Sequence, residues 1–93
     1  MQFMVKALDG ENMLARRMEV RPRHLEGMEK LRSRIICAGG LLDAEGKMKG
    51  SLLVLDFPTR GDLDSYLASE PYVVEKVWEK IEIGTVSVVI GGK

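Results

Sequence analysis

Apolar residues alternate along residues 2–8, QFMVKAL, with Phe3, Val5 and Ala7 on one side, Met4 and Leu8 on the other, and Asp9-Gly10 closing the run. A period of two predicts a first strand. Residues 11–20, ENMLARRMEV, have weak periodicity and predict a mobile connection with room for a helical turn. From Arg21 the period lengthens. Val20, Met28, Leu31 and Ile35 fall on one stripe at three- and four-residue steps, with Leu25 beside it, which predicts a helix. Pro22 fits the first turn of that helix, where its missing N–H costs nothing. Gly27 in the interior costs about 1 kcal/mol against alanine and predicts a close approach of another backbone.

Residues 37–42, CAGGLL, predict a helix exit into a second strand, and residues 43–50, DAEGKMKG, a polar hairpin loop. Residues 51–57, SLLVLDF, predict a third strand that is apolar on both faces: Leu52 and Val54 point one way, Leu53, Leu55 and Phe57 the other. Thr59 and Asp62 form a capping pattern ahead of a second helix carrying Leu63, Tyr66 and Leu67 and ending near Ser69. Pro71 interrupts it and predicts a short restarted helix with Val74, Val77 and Trp78 as its buried face. The last strand is expected over residues 81–90. Ile81 and Ile83 share one phase while Val86, Val88 and Ile90 share the other, so a bulge is expected at Gly84 between them. The order is a βαββαβ plan with an insertion before the last strand, an α+β fold of the ferredoxin-like type.

The chain of 93 residues predicts one domain spanning 1–93. So small a core usually needs a disulfide, a metal or a partner subunit. Cys37 is the single cysteine and His24 the single histidine, so neither an intrachain disulfide nor a Cys/His metal set can form within one chain. Two helices cover only one face of a sheet, and the second apolar face of the third strand therefore predicts a homodimer. Fourteen basic residues balance fourteen acidic ones, which argues against nucleic-acid binding. Locally, Arg16, Arg17, Arg21, Arg23, Lys30, Arg32 and Arg34 crowd the first third of the chain. They form either a solvated helix face or, for one or two of them, the mouth of a site for an anionic small molecule. No run approaches a membrane span and no signal-peptide pattern opens the chain, so the expected compartment is the cytoplasm.

His24 lies four residues after Val20 and four before Met28, on the inward helix stripe. It is either a hydrogen-bonded core residue or a general acid/base, since imidazole titrates near neutrality. Glu70, fixed at the chain reversal before Pro71, is its natural carboxylate partner, or a cap for the short helix, or both. Ser51 opens the third strand and could donate to or accept from a ligand. No motif activates Cys37, which is expected to be an inert buried thiol. The Gly39-Gly40 and Gly91-Gly92 pairs do not match a phosphate-binding loop.

Four short motifs occur in order: R-P-x-H at Arg21, Pro22 and His24; A-G-G-L at Ala38 to Leu41; G-S at Gly50 and Ser51; and E-P-Y at Glu70, Pro71 and Tyr72. With these the chain resembles the YciI-like, YCII-related family along nearly its whole length. The resemblance implies a ferredoxin-like fold of the dimeric α/β-barrel type, with two sheets face to face. It also implies an active site built from the helix histidine and the aspartate of a D-P-Y motif, here His24 and Glu70, with the serine at Ser51. Arg17 and Arg21 lie at family-like positions, and Tyr72 closes the motif as a substrate-binding candidate. Glutamate replaces the usual aspartate, and its extra methylene displaces the carboxylate by more than about 1 Å unless the backbone compensates. One related activity in the family is dehydrochlorination of a muconate-type acid. Haem and flavin serve cousins of the superfamily, but nothing here marks a cofactor site, and none is expected.

Two classes of function follow. One is a cofactor-independent lyase or isomerase in which His24 moves a proton, Glu70 orients it, and Ser51 with an arginine holds an anionic substrate. The other is non-catalytic: either a ligand-binding or accessory domain whose pocket is retained without turnover, or a purely structural dimerisation module in which His24 is core and Glu70 is a cap.

Overall fold

The computed structural model describes residues 1–91, so Gly92 of the last glycine pair lies outside the described residues. Its elements run β1 (Gln2–Asp9), α1 (Leu14–Lys30), a 3₁₀ turn (Arg32–Arg34), β2 (Ile35–Leu42), β3 (Met48–Asp56), α2 (Arg60–Ser69), α3 (Pro71–Val74) and β4 (Trp78–Val86). The four strands form one antiparallel sheet in the order β2-β3-β1-β4. This is the ferredoxin-like arrangement that the βαββαβ order predicts, with α3 as the insertion.

Alternation sorts the sheet into two faces. Phe3, Val5 and Ala7 of β1 and Leu53 and Leu55 of β3 are buried beneath the helices, against Val20 and Met28 of α1 and Leu63 and Leu67 of α2. Burying a leucine such as Leu53 or Leu63 stabilises the fold by about 1.5–3 kcal/mol. The register places Met4, Leu8, Leu52, Val54, Leu41 and Cys37 on the opposite face, which no helix among the described residues covers.

The helix α1 begins at Leu14, seven residues before the expected start, and Pro22 lies inside it. Its N-cap residue, Met13, makes no side-chain cap and follows Asn12 in the left-handed region at φ 59°. Pro22 cannot bond the Met18 carbonyl, but Met18 is exposed and water can serve that group. The early start is held from outside the helix, because it buries Arg17 against β1 and β3. No atom lies within 4 Å of a Cβ built on Gly27, so that glycine marks no close backbone approach. Gly50 does: a Cβ there would fall 2.3 Å from the Ala7 carbonyl oxygen.

Ile35 belongs to β2 and not to the helix stripe. The hairpin loop is shorter than expected, with Asp43 accepting from the Glu45 and Lys47 amides and Gly46 at φ 82°. The Thr59 hydroxyl accepts from the Asp62 amide, as the capping pattern predicts. In α3, Val74 is 57% exposed and Tyr72 is the buried residue, while Val77 is buried beyond the helix and Trp78 opens β4. Cys37 is exposed, on the uncovered sheet face.

The bulge in β4 is not at Gly84, which pairs regularly with Met4. It lies at Glu79, because Leu8 pairs with Lys80 while the next residue, Asp9, pairs with Trp78. The extra residue inverts the alternation and turns the Trp78 indole onto the helix-covered face, beside Asp9. Val86 lies on the uncovered face, opposite Gln2, and the strand ends there, so Val88 and Ile90 lie beyond it and form no second phase of β4.

Candidate active site

Arg17, Val20, His24 and Met28 are the buried residues of α1, one per turn of a single stripe. The stripe points two polar side chains into the layer between helix and sheet. Each finds a carboxylate.

His24 Nδ1 lies 2.7 Å from Glu70 Oε1, with the carboxylate 1% exposed. Glu70 is fixed by the chain reversal: the Tyr72 amide donates to Oε1 at 3.1 Å, so the same oxygen caps α3 and meets the imidazole. The cap and partner readings of Glu70 both describe its geometry. The Tyr66 hydroxyl, one turn back on α2, donates to Oε2 at 2.6 Å. Burial alone would raise the Glu70 carboxyl, but the hydrogen bonds from His24 and Tyr66, the His24 charge and the Tyr72 amide outweigh it. Together they hold the pKa below the ordinary glutamate value.

The imidazole is enclosed by aromatic rings. Tyr72 stacks on it with centroids 4.2 Å apart and planes at 18°, and Trp78 approaches edge-on at 6.4 Å and 73°. The other polar centre adjoins this stack, because the Arg17 guanidinium lies over the far ring, 4.7 Å from the Tyr72 centroid. Arg17 Nη1 donates to both Asp9 oxygens at 2.9 and 3.2 Å, and Nη2 donates to Ser51 Oγ at 2.9 Å. Burial holds the Asp9 carboxyl above the usual aspartate range, although the Arg17 charge and hydrogen bonds oppose it.

The site therefore contains His24, Glu70 and Tyr72 in direct contact, with Ser51 joined to them through Arg17. Arg21 is half-buried at the border, and its charge, like that of Arg17, favours ionisation of the Tyr72 hydroxyl; burial has the larger effect and raises that pKa. Sequence reasoning missed three residues. Asp9 looked like a turn residue, Tyr66 an apolar helix position and Trp78 a helix contact. For Arg17 a signal existed in the spacing 17, 20, 24, 28, which continues the inward stripe upstream. The remaining basic residues are outward: Arg16 pairs with Glu19 and Glu75, Arg23 with Glu75, Lys30 with Glu26 and Arg32 with Glu29.

Three buried polar atoms have no hydrogen-bond partner among the described residues: Arg17 Nε, Tyr72 Oη and Trp78 Nε1. All belong to side chains of this aromatic and cationic cluster. Among the described residues no group of three or more His, Cys, Asp or Glu side chains could hold a metal ion, and no helix is long and apolar enough to cross a membrane.

A four-stranded antiparallel sheet with its helices packed on one face defines the class of protein as α+β of the ferredoxin-like type. Within it, the chain belongs to the YCII-related domain family, which it matches over residues 1–87. It is 28% identical over 87 residues to aspercryptin biosynthesis cluster protein B of Emericella nidulans, a match covering 84% of this chain and 56% of the relative. The chain thus spans little more than half of that curated relative. Among solved structures it is similar to the 5-chloro-2-hydroxyhydroquinone dehydrochlorinase of Burkholderia phenoliruptrix in complex with 2,5-dihydroxybenzoquinone. There the TM-score is 0.89 at 21% identity, with 94% of each chain covered. It is also similar to a putative antibiotic biosynthesis monooxygenase from Bacteroides thetaiotaomicron, at TM-score 0.61 and 12% identity over 100% of this chain and 92% of the other. These likenesses establish the fold.

Proposed function

We propose that the protein is a cofactor-independent small-molecule enzyme of the lyase or isomerase type, in which His24 is the general acid/base and Glu70 its orienting carboxylate. The observation that carries this reading is the 2.7 Å contact between His24 Nδ1 and a buried Glu70 whose pKa is lowered. An ionised Glu70 accepts from Nδ1–H, which leaves Nε2 with the free lone pair. Nε2 then takes a proton from a carbon next to a carbonyl. The C–H electron pair becomes a new double bond, and a leaving group on the neighbouring carbon departs with its own electrons. Retention of the group and return of the proton elsewhere would instead give isomerisation.

The substrate is a small, oxygen-rich anion. Arg17 Nε, Tyr72 Oη and Trp78 Nε1 offer polar contacts around the imidazole, and a buried donor without a partner costs roughly 1–3 kcal/mol until one is supplied. Arg17 already shares its charge with Asp9 and its Nη2 with Ser51, so it contributes mainly its Nε–H. Arg21 supplies the charge facing an incoming anion, while Ser51 can donate its hydroxyl proton. The dehydrochlorinase among the structural neighbours makes chlorinated hydroxyhydroquinones the first compounds to try.

The test is chloride release from such compounds by wild-type protein, His24→Ala and Glu70→Gln. Release that disappears with His24→Ala and falls by about 10²-fold or more with Glu70→Gln supports acid/base catalysis. Undiminished release by His24→Ala contradicts it. Ligand-induced thermal stabilisation without any turnover moves the protein to the binding-domain class.

We also propose a homodimer formed through the uncovered sheet face. Met4, Leu41, Leu52 and Val54 give that face an apolar centre, and Lys6 and Glu82 stand opposite each other in its β1–β4 register. Light scattering at micromolar concentration is expected to give twice the 10.4 kDa chain mass, and a monomer contradicts the pairing.

A further inference from the structure

Glutamate has three rotatable side-chain bonds, one more than aspartate, so a Glu70 carboxylate that must meet an imidazole squarely needs additional fixing. The Tyr72 amide fixes only Oε1, the oxygen that also faces His24. The other oxygen is held from α2, by the Tyr66 hydroxyl at 2.6 Å. Tyr66 stands four residues before Glu70, so the two side chains share one helix face as the chain leaves the helix. Its ring is itself restrained, stacked on Phe57 at 6.0 Å and 25°, with the hydroxyl 3.4 Å from Met28 Sδ.

The surroundings supply a reason for this restraint. A cleft of about 250 Å³ between α1 and the α2–α3 junction, bordered by Gly27, Lys30, Leu31 and Pro71, reaches both Tyr66 and Glu70. Tyr66 and Glu70 both line it, and the Tyr66 hydroxyl holds the Oε2 atom that cleft water would otherwise compete for. We propose that Tyr66 is the positioning residue of the His24–Glu70 pair, its hydroxyl locking the carboxylate so that Oε1 is presented to the imidazole and Oε2 is kept from the cleft water. The inference rests on the reading of His24 and Glu70 as a functional pair, and extends it from two residues to three.

The hydrogen bond has a signature that packing alone does not give. A phenol donating to a carboxylate stabilises the ionised form, so its loss raises the carboxyl pKa. The other charged groups around the pair are Arg17 and Arg21 of α1 beside Tyr72, Asp9 of β1 beyond Arg17, and Lys30 of α1 at the cleft. Tyr66→Phe changes none of them and keeps the ring on Phe57.

The experiment is an acid titration of the Glu70 side-chain carbon by NMR in glutamate-labelled protein, assigned with Glu70→Gln, for wild type, Tyr66→Phe and His24→Gln. The inference predicts that Tyr66→Phe raises the Glu70 midpoint by about half a unit or more, with the fold retained. A Glu70 midpoint that rises in His24→Gln but not in Tyr66→Phe overturns the role of Tyr66 and leaves the pair intact. A midpoint that moves in neither variant overturns the pair and the positioning role together.

Discussion

The imidazole of His24 and the phenol ring of Tyr72 lie stacked 4.2 Å apart, and the Tyr72 hydroxyl is buried without a hydrogen-bond partner among the described residues. A fold optimised for stability alone would not retain that hydroxyl. Tyr72→Phe is therefore expected to preserve the stack and leave stability unchanged or raise it by up to about 1 kcal/mol, while weakening ligand binding. Urea denaturation paired with ligand titration checks this. A loss of stability with unchanged binding would make Tyr72 a core residue only.

Asp9 and Arg17 form a buried ion pair, each side chain 4–5% exposed. Asp9→Asn leaves the guanidinium without its counter-charge and is expected to cost about 3–5 kcal/mol. Replacing both partners, as Asp9→Leu with Arg17→Met, is expected to restore much of that stability while abolishing the Ser51 contact. Chemical denaturation of the single and double variants separates the two effects.

Glu70 links stability to pH. Its folded pKa is lowered from 4.5, so its contribution is complete above about pH 4.5 and is lost as pH falls through the lowered folded value. The thermal midpoint of wild type should fall more steeply than that of Glu70→Gln over this acid range. Parallel curves would mean that Glu70 gains nothing from its partners on folding.

The two glycines beside the site behave oppositely. Gly27→Ala meets no atom within 4 Å and gains helix propensity, an expected stabilisation of about 0.5–1 kcal/mol. Gly50→Ala drives a methyl group into the Ala7 carbonyl and is expected to disrupt β1–β3 pairing beside Ser51. Denaturation midpoints that move apart for the two variants confirm the contrast.

The parts of the fold legible in the sequence were those with local causes. The alternation of β1 and β3, the Thr59 cap and the Glu70-Pro71 reversal each depend on neighbours in the chain, and each lies where its pattern points. The start of α1 was not legible, since Met13 offers no side-chain cap and Pro22 mimics a helix beginning. What overrides the proline is tertiary: burial of Arg17 against Asp9 and Ser51. The Glu79 bulge was hidden for a related reason, because register belongs to a pair of strands and Gly84 carries only a propensity. At the site, His24 and Glu70 were legible as types in constrained positions. Asp9, Tyr66 and Trp78 acquire their roles only from residues brought near by other elements.

The most direct test is the tautomer of the only histidine, read from the ring nitrogen shifts of ¹⁵N-labelled protein at a pH where the imidazole is neutral. The account predicts the proton on Nδ1, donated to Glu70 Oε1, with Nε2 free to act as base. A proton found on Nε2 would mean that the lone pair faces Glu70, and would contradict the assignment of His24 as the general base.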